Sequence, residues 1–334
     1  MTSDLAPTAL APFVRILGRG PGRSRNLTQG EAFEAMQIIL SGRAAPEAVG
    51  ALLMLMRFRG EGAGEIAGFA TALRVTLPAL PAVDLDWPSY AAGRSRGLPW
   101  FLLSARLVAL TGARVLLHGW NSHQPDAADL RAALPFAGIA QAESATLAAL
   151  LDRDGIAYLP LESFSPAAMH LLRLRDMLGL RSCINTVLRV LNPALAPAAV
   201  QGVFHPPYRP LQQQAAALMG QPRACIIKGG GGEFERSPAK DTLLFQLSGG
   251  LAEETTAAAI MDERLPGTAT HPEALAALWA GTLTDPLATA TVTGTAALAL
   301  MTLGRAEDPE DALALAQSLW ASRPFAMLPE ETRP

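Results

Sequence analysis

The sequence predicts an α/β protein that begins with a small helical unit, and three observations carry that reading. Residues 28–73 give three successive segments with apolar side chains at helical spacing, closed off by Pro78 and Pro81. From Val83 to Leu247, short apolar runs alternate with amphipathic ones, as strands alternate with helices in α/β chains. Half of the 334 residues are hydrophobic but only 6% are aromatic, which suits a helix-rich chain with a sizeable core.

Each element has its own signal. An apolar segment, Phe13–Leu17, precedes an arm reading GRGPGRSRN. Thr28 and Glu31 stand at capping-box spacing, each side chain placed to satisfy a free N–H of the helix start. Phe33, Met36, Ile39 and Leu40 follow on one helical face, and Ser41–Gly42 stops that helix. Pro46 suits the first turn of a second helix, which carries Val49, Leu52, Leu53 and Met56 and breaks at Gly60–Gly64. A third runs from about Glu65 to Leu73. The α/β part then reads as a strand from Val83 to Trp87, a helix Trp100–Leu110 and a strand Val115–Leu117. Helices at Ala127–Leu134 and Ser144–Asp154 and a strand at Ile156–Leu159 follow. The stretch Pro166–Gly179 is amphipathic and ends on a glycine placed for a helix stop, and Ser182–Leu191 ends at Asn192–Pro193. Strands are expected at Ala199–Val203, Ala224–Lys228 and Thr242–Leu247, with a helix at Arg209–Met219. The remainder reads as helical: Glu253–Met261, Pro272–Gly281, Pro286–Leu303 and Pro309–Arg323.

Met1–Ala11 lacks the basic start and apolar run of a signal peptide, and Pro286–Gly304, rich in threonine, reads as a buried helix rather than a membrane span. Cys183 and Cys225 form neither a zinc pattern nor a disulfide framework, so reduced thiols and a cytoplasmic location are expected. The net charge of −3 argues against nucleic acid, but its distribution does not. Residues 250–334 carry −8 and the remainder +5. Three stretches hold arginines or lysine without an acidic neighbour: Arg15, Arg19, Arg23 and Arg25; Arg94, Arg96, Arg106 and Arg114; and Arg181, Arg189, Arg209, Arg223 and Lys228.

The stretch from Ala82 to Gly119 organises the rest. A loop after the first strand, opening onto a helix N-terminus, is where α/β folds bind anions. This one carries Arg94 and Arg96 beside Ser89, Tyr90 and Gly93, so a negatively charged ligand is expected near it. Arg94 and Arg96 suit phosphate clamps, and Tyr90 either stacks a base or packs its ring beside Pro88. His118 suits a turn histidine bonded to backbone better than a catalyst. Gly229–Gly232 suits either an anion cradle or a tight turn.

The run LTQGEAFEAMQIILSGRAAPEAVGALLMLMRFRGEGAGEIAGFATALR resembles the helical domain of the anthranilate phosphoribosyltransferases, and LRLRDMLGLRSCINTVLRVLNP resembles their helical crossing segment. TGARVLLHG is similar to their strand ending in His-Gly, and IIKGGGGEFERSP stands where they carry a Gly-rich acidic metal-binding loop. The resemblance covers roughly residues 13–240. It implies a helical dimerisation domain of residues 1–78 plus about 165–195, packed on an α/β domain of 79–164 and 196–334 with a mostly parallel central sheet. It also implies a homodimer through the helical domain, and Arg181 stands at the place of an aromatic-acid-binding arginine, where its helical neighbours equally suit it to fixing the domain junction.

The departures lie in the donor site. The family holds phosphoribosyl pyrophosphate on a Gly-Thr-Gly-Gly-Asp loop, where this chain reads Trp87-Pro88-Ser89-Tyr90-Ala91-Ala92-Gly93-Arg94. Backbone N–H groups reach a pyrophosphate only where side chains do not intrude, and Pro88 has no N–H. Leu117 replaces the lysine before His118 and Gly119, and Glu233 and Glu235 around Phe234 replace the Asp-Glu pair that helps hold magnesium. Alternating residues of an extended segment point to opposite faces. Phosphoribosyl pyrophosphate is therefore not the expected partner, and magnesium is expected only if a transferase site operates. GRGPGRSRNLT, PSYAAGRSRGL and KGGGGEFERSP are instead similar to the YbiB-type paralogues, which implies sequence-nonspecific binding of nucleic-acid backbone. Arg19, Arg23, Arg25, Ser89, Tyr90, Arg94, Arg96, His118, Arg181 and Lys228 are the expected contacts. A phosphoribosyltransferase or other glycosyltransferase with an altered substrate is the alternative.

Overall fold

A computed structural model describes residues 9–20, 22–90, 97–120, 129–263 and 269–325. Four helices come first: α1 (Ala11–Gly18), α2 (Gln29–Leu40), α3 (Pro46–Arg59) and α4 (Ala63–Val75). The expected capping box at Thr28 is present, with Glu31 N donating to Thr28 Oγ1 at 3.2 Å and Thr28 N to Glu31 Oε2 at 2.8 Å. Gly68 of α4 makes the tight α2–α4 packing possible, because a Cβ there would lie 2.4 Å from the Gln29 carbonyl oxygen.

Arg25, expected on the basic arm, is spent at this cap: its guanidinium bonds Glu31 at 2.6 and 2.7 Å. That bond, with those from Thr28 and against the effect of burial, pushes the Glu31 carboxyl down from its usual 4.5 to about 2. A carboxyl depressed in the folded state stabilises above its unfolded value and loses that stabilisation as pH falls. Glu31→Gln is therefore expected to flatten the acid-unfolding curve between about pH 4.5 and 2. At neutral pH its cost is about 1 kcal/mol, because the pair is partly exposed. Superimposable acid-unfolding curves for the two proteins would contradict this.

The α/β part runs β1 (Leu85–Ser89), α5 (Phe101–Ala109), β2 (Val115–Gly119), α6 (Leu130–Ala133), α7 (Leu147–Asp154) and β3 (Ile156–Pro160). Next come α8 (Leu161–Phe164), α9 (Pro166–Leu178), α10 (Ile184–Arg189), β4 (Ala198–Val203), α11 (Tyr208–Leu218) and β5 (Arg223–Lys228). The chain closes with β6 (Thr242–Ser248), β7 (Leu251–Ala257), α12 (Glu273–Trp279), α13 (Pro286–Thr302) and α14 (Pro309–Ser322). The seven strands form one mixed sheet in the order β3-β2-β1-β4-β5-β6-β7. The first five are parallel, and β6 and β7 are antiparallel additions at one edge. The fold class is thus as expected, an N-terminal helical unit on a mostly parallel sheet.

One face of the sheet packs on α5, α13 and α14 around Trp87, Phe101, Phe234 and Trp279. On the other face, α8–α10 share a core with α1–α4, through Phe164, Leu171, Ile184 and Leu188 among others. No helix among the described residues is long and apolar enough to cross a membrane.

One element differs. The sequence predicts a helix over Glu253–Met261, yet the first half of that stretch belongs to β7, which pairs with β6 from Ser248↔Leu251 to Thr242↔Ala257. Gly249 and Gly250 both take positive φ, 56° and 82°, the requirement of a two-residue hairpin turn. The Gly-Gly pair and the β-branched Thr255–Thr256 carry that signal, and the exposed edge position of β7 hides it by removing the apolar alternation.

Candidate functional site

The carboxyl ends of β1, β2, β4 and β5 meet at one edge of the sheet, where a parallel sheet opens its crevices. Side chains at this edge divide between the two faces. Asp86 of β1 and His118 of β2 are fully buried, with Nε2 of His118 3.2 Å from Asp86 Oδ1 and Nδ1 2.9 Å from the Tyr90 hydroxyl. The Tyr90 hydroxyl and Nδ1 form a hydrogen bond, whereas Nε2 and the Asp86 carboxyl face each other without one. His118 thus bonds the Tyr90 side chain rather than the backbone expected for it. Tyr90 is 1% exposed with its hydroxyl engaged, so it does not offer a ring for base stacking. Arg189, buried at the end of α10, donates to the Tyr90 carbonyl at 2.6 Å.

Trp87 turns to the opposite face, stacked on Phe101 at 6.3 Å and edge-on to Phe234 at 5.4 Å. Its bulk fills core and leaves the cleft clear. The glycine run after β5 likewise serves packing. A Cβ on Gly229 would lie 1.7 Å from the Glu233 carbonyl oxygen, and three N–H groups of the run are spent internally. Gly229 donates to Val203, Gly230 to Glu235 and Gly232 to Gly229. The run thus makes a tight turn, one of its two expected readings, with Gly229, Gly230 and Gly231 in the wall of a cavity.

Glu235 alters the helix terminus expected to receive an anion. Its Oε2 accepts from Phe101 N, the first residue of α5, at 3.0 Å, so the chain's own carboxylate occupies that donor. Glu233 lies elsewhere, in the field of Arg189 and Tyr158. No group of three or more His, Cys, Asp or Glu side chains among the described residues comes together to hold an ion. Phe234, between the two glutamates, is buried in the core.

Among the described residues, two cavities open at this edge. The larger, about 800 Å³, lies beyond β5, with Arg209, Lys228, Lys240, Glu235 and Asp285 in its walls. The smaller, about 450 Å³, lies between the helical unit and the sheet. Arg57 from the last turn of α3, Arg175 from the last turn of α9, Arg181 from the turn before α10 and Arg189 line it, together with Asp176 and Phe204. Arg57 donates to the Arg181 carbonyl at 2.7 Å. Burial, and then the neighbouring Arg175 and Arg57 cations, hold the Arg181 guanidinium below its usual range. Burial and Arg181 do the same to Arg189, against the opposing pull of Glu233.

The expected contacts are dispersed by the fold. Arg19 and Arg23 are exposed on the arm after α1, Ser89 is buried at the end of β1, and Lys228 is exposed at the end of β5. Arg94 and Arg96 lie outside the described residues. Several members of the acid-free stretches hold the structure together. Arg106 donates to the Ala137 carbonyl at 2.8 Å and lies over the Trp279 ring, and Arg114 pairs with Asp152 at 3.1 Å. Arg223 bonds the Leu303 carbonyl at 2.6 Å. Among the described members of the expected set, Arg181 alone lies in the basic pocket, beside Arg57, Arg175 and Arg189. Sequence reasoning misses Asp86, Arg57 and Arg175. An aspartate between the apolar Leu85 and Trp87 of a strand is a sequence signal for a buried partner, whereas nothing local marks the other two.

Residues 12–76 match the helical bundle domain of a glycosyl transferase family, and residues 101–322 match the a/b domain of that family. The chain belongs to this glycosyl transferase family. The anthranilate phosphoribosyltransferase of Moorella thermoacetica is 31% identical over 317 residues, covering 88% of this chain and 90% of that protein. The Caldivirga maquilingensis enzyme is 31% identical over 245 residues, covering 72% and 70%. Among solved structures, anthranilate phosphoribosyltransferase from Thermus thermophilus superimposes with a TM-score of 0.76 at 26% identity, over 89% of this chain and 92% of that one. The Saccharomyces cerevisiae enzyme, in complex with phosphoribosyl pyrophosphate and Mg, gives 0.75 over 94% and 93%, and at 16% identity that likeness concerns the fold. As a glycosyl transferase family member, the chain thus carries both the helical bundle domain and the a/b domain of that family.

Proposed function

We propose that this chain is a glycosyltransferase related to the anthranilate phosphoribosyltransferases, with an altered substrate set and an anionic acceptor. The observation that supports this is the 450 Å³ pocket between the two parts of the fold, into which four guanidiniums converge. Guanidinium forks bind carboxylate or phosphate oxygens bidentately and so orient the molecule that carries them. Arg181 would hold the anionic group, and the acceptor would face the carboxyl ends of β1 and β4, where a donor sugar can lie. The donor would not be phosphoribosyl pyrophosphate on a glycine loop, because Glu235 holds the α5 N-terminus. Sugar 1-phosphates become the first donors to try.

The test is release of phosphate or pyrophosphate, followed by phosphorus NMR, from ribose 1-phosphate and phosphoribosyl pyrophosphate offered with anionic acceptors. Acceptor-dependent release is expected from a donor other than phosphoribosyl pyrophosphate, with kcat/KM falling about tenfold or more in Arg181→Ala. No release from any donor would sink the reading.

A second reading, nucleic-acid backbone binding by a homodimer, is supported by the exposed Arg19, Arg23, Arg57 and Lys228 and by two bare apolar side chains of the helical unit. Phe58 and Met177 are 89% and 84% exposed, a feature that suits pairing of two copies. Its mark is oligonucleotide affinity that falls steeply with salt and ignores sequence.

A further inference from the structure

The larger cavity, beyond β5, is separate from the acceptor pocket, and the two adjoin through the bond from Gly229 N to the Val203 carbonyl at 3.1 Å. Its wall holds Arg209, Lys228, Arg236 and Lys240 together with Glu235, Asp241 and Asp285, so its formal charges nearly balance. The groups differ in what they are bonded to. Each carboxylate accepts a backbone N–H, Glu235 from Phe101 at 3.0 Å, Asp241 from Ala259 at 2.9 Å and Asp285 from Ala288 at 2.9 Å. Arg236 donates to the Ala258 carbonyl, and Arg209 donates to the Pro206 carbonyl at 3.3 Å with its guanidinium over the Phe245 ring. Lys228 and Lys240, by contrast, are exposed and have neither a hydrogen bond nor an ion pair among the described residues. The glycine turn adds a third unspent donor. Gly231 stands at φ 64° and ψ 8°, and its N–H meets no acceptor among the described residues. Backbone N–H groups left free in such a turn attract anions, and lysine adds a mobile point charge.

We infer that this cavity binds the phosphate monoester of a small ring-bearing molecule, with the phosphate on Lys228, Lys240 and the Gly231 N–H. The preference comes from free donors rather than from surplus charge. They arrive from separate places, the end of β5, the turn after it and the segment before β6, and so suit the three terminal oxygens of a phosphate. A carboxylate has two oxygens in one plane and leaves one of these donors unused. Leu98, Leu243, Leu287 and the half-buried Trp100 line the same cavity and give the ring an apolar wall. At about 800 Å³ the space takes an organic group beside the anion. Binding here is independent of the acceptor pocket and of any transfer.

The probes are phenyl phosphate, benzoate, phenol and inorganic phosphate, each titrated calorimetrically into the full chain in phosphate-free buffer. Phenyl phosphate is expected to bind about tenfold or more tightly than each of the others. Lys228→Ala combined with Lys240→Ala should weaken it about tenfold or more, and Lys228→Arg combined with Lys240→Arg should keep most of the affinity. Neither lysine is bonded within the fold, so the alanine protein should melt with the unaltered chain. Arg181→Ala separates the two cavities, because it alters the acceptor pocket alone and should leave phenyl phosphate affinity within about twofold. Loss of binding in Arg181→Ala, or binding indifferent to both lysines, would overturn the inference. So would benzoate or inorganic phosphate binding as tightly as phenyl phosphate, or no binding of phenyl phosphate at all. Displacement by a single-stranded oligonucleotide with a steep salt dependence would overturn it as well, since the cavity would then take a polymer. Phenyl phosphate binding that depends on the two lysines upholds the site even where no donor supports transfer, an outcome that sinks only the glycosyltransferase reading.

Discussion

Gly202→Ala is expected to cost about 3 kcal/mol or more, lowering the melting temperature by roughly 5 °C or more. A Cβ at this position of β4 would lie 2.0 Å from the Glu233 carbonyl carbon, 2.2 Å from its oxygen and 2.4 Å from Phe234 N. These are backbone atoms, so no rotamer change relieves the collision and the whole 229–235 segment has to move. That segment is held at three points. Its own turn closes through Gly230 N to Glu235 O at 2.9 Å, Phe234 packs edge-on against Trp87, and Glu235 bonds the α5 N-terminus. Shifting it gives up the aromatic contact and leaves the Phe101 N–H in search of a partner. Gly30→Ala is the control, a helical glycine of α2 where an added methyl would meet nothing within 4 Å, and a small gain is expected. Thermal unfolding of both variants decides the matter. A Gly202→Ala protein that melts with the unaltered chain would mean that the segment is not rigid.

The same segment shows what the sequence could and could not tell. Four glycines in a row, Gly229–Gly232, announce close backbone approach, but whether the approaching group is a ligand or the protein itself depends on Gly202, well upstream on another strand. Local signals were legible wherever the physics is local. The Thr28–Glu31 cap, the Gly179 stop and the parallel strands from Leu85 to Lys228 all follow from spacing within one turn or one strand. The basic stretches were legible as charge but not as surface. Arg106 reaches the carbonyl of Ala137, Arg223 that of Leu303 and Arg114 the carboxylate of Asp152, all contacts between segments far apart in the chain. Conversely, Arg57 and Arg175 stand in stretches of mixed charge and still converge with Arg181 and Arg189, because the α3 and α9 helices end at the same place. A guanidinium chain is long enough to serve a distant carbonyl as readily as a ligand, and only the fold tells the two apart.

His118→Ala is expected to cost about 3–5 kcal/mol, because it strips a fully buried carboxylate of its nearest partner. Asp86 and His118 are both 0% exposed, on adjacent parallel strands in a part of the sheet covered by the helical unit, so no solvent can take over the missing contact. Arg74 feels the Asp86 charge, but its guanidinium is already committed to the Leu191 carbonyl. The substitution also deprives the buried Tyr90 hydroxyl of its partner and opens a cavity beside Phe164, whose ring stands 5.9 Å from the imidazole. If the loss stems from the stranded carboxylate, removing that charge should restore part of it. Asp86→Asn combined with His118→Ala should therefore be more stable than His118→Ala alone, a coupling of about 1–3 kcal/mol in the double-mutant cycle. Tyr90→Phe, which leaves the Asp86–His118 contact intact, should cost only about 1–2 kcal/mol. Additive losses for Asp86→Asn and His118→Ala in urea unfolding would show that the two side chains occupy the same core without supporting one another. A real coupling would instead make this pair the fixed floor beneath Tyr90, and with it the anchor that sets where Arg189 enters the basic pocket.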